Sequence, residues 1–360
     1  MKSVQAIAPG KAVLLGEYAV LVGAPGLSMA VDRHACVNME VCAADECSMA
    51  APQLGIEPIG FAMRPDGRVE WDVSSPGWPR LTQTASLFSF LYGLACQKFG
   101  QPDPFRVHID TSELFIDRPG GSVKLGLGSS SAVAVAMDAA LRQFAGGKHQ
   151  PGLSMRSLNR LLKPYRRGQD GRGSGLDLAT SLCGGVIRYQ IIDDQASVTR
   201  VTLPDNLYLA FVWTGQTAST PRMVEGFQRW RQDRPEQSQQ LLAAMTRVCE
   251  SAQVAIGQGD SEALMEHFRD YGRLMGKMGS LTGLEVVSPV HARVAGQCER
   301  LGLVYKPCGA GAGDLGMVVS IDPGPLQALA DGLLTEDLPL LTLGMDVHGV
   351  RVQTRGINTA

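Results

Sequence analysis

No Cys-x-x-Cys pair occurs among the eight cysteines, which stand at 36, 42, 47, 96, 183, 249, 298 and 308. The six histidines complete no zinc spacing with them, which argues against a structural metal site. Free thiols in a reducing cytoplasm fit this scatter better than a disulfide frame. No apolar run is long enough to span a bilayer, the longest near-helical one being Leu87 to Cys96. The apolar run Ala12 to Leu15 is broken at once by Gly16 and Glu17, so no secretory leader is expected. Neither sign of charge dominates: 33 Lys and Arg against 35 Asp and Glu leave −2, and no field favours nucleic acid or an anionic membrane. There is no internal repeat and no low-complexity linker. The pattern G-x-x-x-x-G-K-[ST] is also missing, which excludes a P-loop enzyme.

What remains is globular. Hydrophobic residues make up 44% and charged ones 19%, enough for a core and far from a disordered chain. The length of 360 residues leaves room for two domains or one large one. Val31, Ala35, Val37 and Met39 roughly alternate within 28–41, and Phe105, Val107 and Ile109 alternate with polar residues, so both segments predict strands. Residues 1–7 predict a short strand, ended by a turn over Ala8, Pro9, Gly10 and Lys11. Helical spacing covers 84–99, 132–144, 157–165 and 176–182, then 221–232, 236–256 and 260–278. Further strands are predicted over 186–191, 207–213 and 315–321, a helix over 325–334, and closing strands over 340–354. The mixed order predicts an α+β fold, with helices on one face of mostly antiparallel sheets. Polar residues within 190–205 separate two strand-and-helix groups, and the boundary is drawn to give units 1–195 and 196–360.

The segment Lys124-Leu125-Gly126-Leu127-Gly128-Ser129-Ser130-Ser131-Ala132 carries the most information. Its glycines let backbone approach a ligand closely. It runs straight into a helical pattern, and a helix start offers free N–H groups and positive dipole character to an anion. The serine hydroxyls can hold a metal or an oxygen. A nucleotide polyphosphate with Mg²⁺ suits this set, although a glycine turn with a serine cap has the same letters.

Three other segments raise the same question. Pro9-Gly10-Lys11 and Gly16-Glu17-Tyr18-Ala19-Val20-Leu21 place a lysine and a glutamate among apolar residues, and buried charges need partners or a ligand. Gly173-Ser174-Gly175-Leu176-Asp177 sets an aspartate at the start of an apolar helix. Lys306-Pro307-Cys308-Gly309-Ala310-Gly311-Ala312-Gly313-Asp314 is a second glycine-rich loop, placed before a strand. Taken together and in this order, they resemble the three motifs of the GHMP small-molecule kinases, over nearly the whole chain. Within that superfamily, Tyr18, the Lys124 lead-in and Trp213-Thr214-Gly215-Gln216-Thr217-Ala218-Ser219-Thr220 are similar to the phosphomevalonate kinase branch.

The resemblance implies a two-domain α+β fold, with an N-terminal domain like ribosomal protein S5 domain 2 and a ferredoxin-like C-terminal domain. It implies ATP and Mg²⁺, with Lys124, Gly126, Leu127, Gly128, Ser129, Ser130 and Ser131 around the phosphates and Ser130 on the metal. Asp177 matches an aspartate near the acceptor, and Lys11 a lysine paired with it. Tyr18, Ser174, Ser219 and Gly311 join Lys11, Lys124 and Asp177 on the acceptor side. The acceptor implied is a small phosphorylated molecule, (R)-5-phosphomevalonate, in a cytoplasmic enzyme that is monomer or homodimer. An alcohol acceptor must lose a proton to a base. A phosphomonoester, with its second pKa of about 6, is already anionic and needs positive charge instead. Lys11, Lys124, Arg166, Arg167 and Arg172 are the candidates, the arginines fitting a solvated basic turn as well. Trp213 is expected in the core. A mevalonate or other alcohol kinase, a related decarboxylase, and a non-catalytic ligand-binding relative remain as alternatives.

Overall fold

The computed structural model describes residues 2–119, 121–147, 155–167, 173–193 and 195–355. The chain begins with two long strands, β1 (Ser3–Leu15) and β2 (Gly26–Val41), paired antiparallel. Three short strands follow: β3 (Ser48–Ala51), β4 (Ile56–Met63) and β5 (Val69–Trp71). Then come α1 (Trp78–Phe99), β6 (Phe105–Asp110), and a hairpin of β7 (Phe115–Arg118) and β8 (Gly121–Lys124). Helices α2 (Ser129–Phe144), α3 (Met155–Arg167) and α4 (Leu176–Cys183) lead to β9 (Val186–Ile192) and β10 (Gln195–Val201). The large sheet runs β10-β9-β2-β6-β3-β4-β5, with β1 beside β2. Its pairings are antiparallel except β3 with β6.

The second half opens with β11 (Tyr208–Trp213) and four helices: α5 (Thr220–Asp233), α6 (Pro235–Gln258), α7 (Ser261–Thr282) and α8 (Pro289–Arg300). It ends with β12 (Val304–Cys308), β13 (Leu315–Ser320), α9 (Gly324–Leu334), β14 (Leu340–Leu341) and β15 (Arg351–Arg355). A smaller antiparallel sheet runs β12-β13-β11-β14, while β15 returns to pair with β1. Helices cover both faces of this smaller sheet, where the sequence led us to expect one. Ala210 and Val212 pack with Val294 and Cys298 of α8 and with Leu329 and Leu333 of α9. Phe211 and Trp213, pointing the other way, join the main core with α5 to α7. The expected core role of Trp213 is met. Among the described residues, no helix is long and apolar enough to cross a membrane.

Three local expectations need correction. The turn over residues 8–11 is a bulge between Pro9 and Gly10 inside the continuous strand β1. A Cβ on Gly10 would lie 2.7 Å from the Leu127 carbonyl oxygen, so the glycine permits the strand to press against the loop there. The polar stretch after residue 190 is a strand of the large sheet: β10 crosses the 195/196 boundary, and its exposed residues suit an edge. The β7–β8 hairpin and helix α8 stand where no element was expected.

The returning C-terminal segment is pinned by His34 on β2. Its Nδ1 lies 2.9 Å from Glu113 and its Nε2 2.8 Å from Asp346, while Arg351 reaches both the Nε2 (3.1 Å) and Asp346 (2.8 Å). The Asp346 contact raises the His34 pKa; burial opposes this and Glu113 adds to it. Burial would raise the Asp346 carboxyl, but His34, the Gly349 and His348 N–H groups and Arg351 hold it far below the carboxylate range. A raised histidine contributes stability that is full below its unfolded pKa of about 6.5 and is lost as pH climbs through the folded value. His34→Gln should therefore cost about 1–2 kcal/mol at pH 6, and clearly less at pH 9, in thermal melts at the two pH values.

Candidate active site

The glycine loop before α2 is built by alternation. Leu125 and Leu127 are buried, and they anchor the loop through Leu125 N donating to Leu114 O (3.0 Å) and Lys11 N donating to Leu127 O (2.8 Å). Between them Gly126 and Gly128 take φ values of 77° and 75°, left-handed conformations that side chains disfavour. Gly128 caps α2, and the first helical hydrogen bond comes from Ala132 N to Gly128 O at 3.2 Å. The backbone N–H groups of Ser129, Ser130 and Ser131 thus precede the helical ladder, at the positive end of a helix of 16 residues. Ser130 is exposed and Ser129 half-buried. Ser131 is buried, and its hydroxyl donates to Gly128 O at 2.7 Å, so it braces the turn and leaves only its N–H for an anion.

Lys11 lies along this loop. Its ammonium reaches the Gly126 carbonyl at 3.4 Å, and a Cβ on Gly128 would sit 3.0 Å from its Cγ. The expected Lys11–Asp177 pair is not formed: among the described residues, no ion pair within 4.0 Å joins them. The Tyr165 hydroxyl donates to Asp177 Oδ2 at 2.8 Å, and Leu178 N donates to Oδ1 at 2.9 Å. The Asp177 turn is clamped from α3 and β9, since Arg166 (2.7 Å) and the Tyr189 hydroxyl (2.6 Å) both donate to the Ser174 carbonyl. The Ser174 hydroxyl accepts from Leu176 N at 3.2 Å. Arg166 therefore builds the turn, Arg167 is exposed, and Arg172 lies outside the described residues.

The buried glutamate has its partner. Glu17 Oε1 meets the Lys306 ammonium at 2.5 Å, with both side chains sealed from solvent, and also accepts from Gly309 N at 3.3 Å. Tyr18, with φ 62°, donates its hydroxyl to the Ala310 carbonyl. Burial, and then Glu17 beside it, push that phenol up. The first motif thus holds the third loop in place. Gly311 is pressed against the Val286 carbonyl, where a Cβ would stand 2.3 Å away. Asp314, the last residue of the third glycine loop, stands against the glycine loop before α2. A Cβ on Gly126 would fall 2.5 Å from the Asp314 Cβ. Burial pushes this carboxyl up, while Ala218 N, Lys11 and Lys124 pull it back.

A cleft of about 710 Å³ opens beside the loop. Lys124, Ser129, Ser130, Tyr165 and Arg167 are among the residues that line it, together with the apolar Leu54, Leu87, Phe90 and Val133. Lys124 is exposed at the foot of the β7–β8 hairpin. Arg118 ties that hairpin to Asp337 (2.7 Å) and lies 4.9 Å from the Trp213 ring centre. Ser219 is exposed, as the N-cap of α5.

The family described as GHMP kinases N terminal domain matches residues 86–185, which include the glycine loop over 124–132 and Asp177. The phosphomevalonate kinase of Streptomyces sp. (strain CL190) is 32% identical over 340 residues, covering 87% of this chain and 88% of that one. The chain belongs to the GHMP kinases. This GHMP kinase is an ATP-dependent small-molecule kinase. It is also 27% identical to the mevalonate kinase of Methanothermobacter thermautotrophicus over 335 residues, 92% of this chain and 94% of that one. The solved Streptococcus pneumoniae phosphomevalonate kinase, in complex with phosphomevalonate and AMPPNP, superposes with a TM-score of 0.75. It covers 95% of this chain and 99% of its own at 20% identity, a likeness of fold alone.

In this kinase the motifs meet at one place only in part. Lys11, Gly126, Gly128 and Asp314 converge directly. Lys124, Ser129, Ser130, Tyr165 and Arg167 share the cleft. Tyr18 and Gly311 brace the third glycine loop, and Ser174 braces the Asp177 turn. Tyr165 is the neighbour of Asp177 that the sequence hid, being one more aromatic at helical spacing.

Proposed function

We propose that the chain phosphorylates (R)-5-phosphomevalonate to 5-diphosphomevalonate with release of ADP, as a cytoplasmic enzyme. The observation that carries this is the pair of exposed cations, Lys124 and Arg167, lining the same cleft as Ser129 and Ser130. The ATP phosphates would lie on the N–H groups of Ser129 to Ser131, with Lys11 beside them. An oxygen of the acceptor phosphate attacks the γ-phosphorus, and the bond to the β-phosphate oxygen breaks as ADP leaves. Phosphoryl transfer of this kind is mostly positioning and charge neutralisation. Lys124 and Arg167 offset the repulsion between the two phosphates. Tyr18 and Gly311 serve the acceptor through the loop they shape, while Ser174 holds the Asp177 turn and Ser219 offers an open hydroxyl.

Mg²⁺ fits the donors present. Among the described residues no cluster of three or more His, Cys, Asp or Glu forms a dedicated cage. Mg²⁺ takes few protein oxygens and completes its shell with phosphates and water. The exposed Ser130 hydroxyl at the loop is one such oxygen. The ion would supply charge neutralisation on the phosphates.

Release of ADP from mevalonate, 5-phosphomevalonate and a few sugars tests the reading directly. Turnover of mevalonate in place of its phosphate would favour the alcohol kinase, and release of CO₂ the decarboxylase. An anionic acceptor needs no base, so Asp177→Asn should lower kcat by no more than about tenfold. A base in an alcohol kinase contributes about 10²–10⁴-fold, and a loss of that size would overturn the phosphate acceptor.

A further inference from the structure

Asp314 closes the third glycine loop in a left-handed backbone conformation, φ 54°, which residues with side chains rarely adopt. Four hydrogen bonds hold it there. Asp314 N donates to Gln216 O at 2.6 Å, and Thr214 donates to the Asp314 carbonyl from its N–H (2.9 Å) and its hydroxyl (3.1 Å). Ala218 N donates to Oδ1 at 3.1 Å. The second oxygen, Oδ2, is left pointing at the phosphate loop, where it would lie 2.8 Å from a methyl on Gly126.

A carboxylate at this spot creates an electrostatic conflict. The loop gathers anions, and a fixed negative charge in partly buried surroundings repels them. The hydrogen bond from Ala218 does not require that charge, because an asparagine oxygen would accept it equally well. Lys11 and Lys124 are close enough to act on Asp314, but the same cations face the phosphates. A divalent ion resolves the conflict, since Mg²⁺ is commonly held by one or two carboxylates together with substrate phosphates. Resting on the reading of the loop as the ATP polyphosphate site, we propose that Asp314 is a ligand, directly or through one water, of the Mg²⁺ that accompanies ATP. It joins the exposed Ser130 hydroxyl in that task.

The test is ATP binding by titration calorimetry, with Mg²⁺ and with EDTA, in the wild type, Asp314→Asn and Lys11→Met. Asp314→Asn should weaken ATP about tenfold in Mg²⁺, yet tighten it in EDTA, because the same carboxylate binds the ion and repels the bare polyphosphate. Asp314→Glu should retain part of the metal dependence. Equal weakening in both conditions overturns the proposal, as does no change in either, since a merely structural aspartate would behave in those ways. Thermal melts accompany the titrations, so that a misfolded variant is recognised and Asp314→Glu decides instead. Lys11→Met should weaken ATP in both conditions. If it does not, the placement of the polyphosphate falls, on a measurement separate from the Asp314 crossover.

Discussion

Lys11→Met should lower kcat by about 10²–10³-fold, the range seen when one preorganised donor to developing charge is removed. Lys11 is held for that task before any substrate arrives. Its own N–H bonds the Leu127 carbonyl, its ammonium lies at the Gly126 carbonyl, and its stem fills the space that a Cβ on Gly128 would need. Such a fixed cation costs no reorganisation as charge shifts from the γ-phosphate to the leaving ADP. This placement also sets a second expectation. Lys11→Arg should not restore activity, because a longer, planar guanidinium does not place its charge where the compact ammonium stands at the Gly126 carbonyl. Steady-state kinetics with saturating ATP make the check, beside a thermal melt showing a folded protein. A rise in the KM for ATP with kcat unchanged would mean that Lys11 binds ground and transition states equally.

The parts of this site legible in the sequence are those set by local chemistry. Gly126 and Gly128 announce themselves because only glycine takes positive φ cheaply, and a helical pattern follows at once. The buried Leu125 and Leu127 between them complete a pattern readable in nine letters. Asp314 was not legible. Its importance comes from a contact with Gly126, 188 positions away, and from backbone bonds to residues 214–218 that no periodicity encodes. The Glu17 problem was half-legible: the sequence showed a charge needing a partner but could not pick Lys306 out of a loop that reads as glycine-rich. Helix α8 is hard to read in the sequence because its buried face is only Val294, Cys298 and His291, the last of them outside the apolar set. Its signal was present all the same, as Ser288 followed by Pro289 at a helix start, with the Ser288 hydroxyl accepting from His291 N. His291 itself is a satisfied core histidine, bonded to Tyr305 and Gly313, and burial pushes it down to about 4.

Lys306→Met should be the most destabilising single change among the site residues, at about 3–5 kcal/mol. It strands the Glu17 carboxylate in a region sealed from water, with only Gly309 N left near Oε1. Glu17→Gln should cost less, because the Lys306 ammonium keeps the Pro307 carbonyl at 2.8 Å and an amide oxygen still accepts from it. The double variant Glu17→Gln with Lys306→Met should regain much of the single Lys306→Met loss, since neither charge then remains buried. Chemical denaturation of the four proteins closes the cycle and isolates the coupling. A coupling under about 1 kcal/mol, the range of exposed pairs, would show that water reaches the pair. The same cycle bears on function, because Glu17 also fixes Gly309 and its neighbour Tyr18 fixes Ala310. Loss of the pair frees the loop that ends in Asp314. Lys306→Met should therefore weaken ATP binding in Mg²⁺ even at a temperature where the protein is fully folded, and the double variant should recover stability more completely than it recovers that affinity.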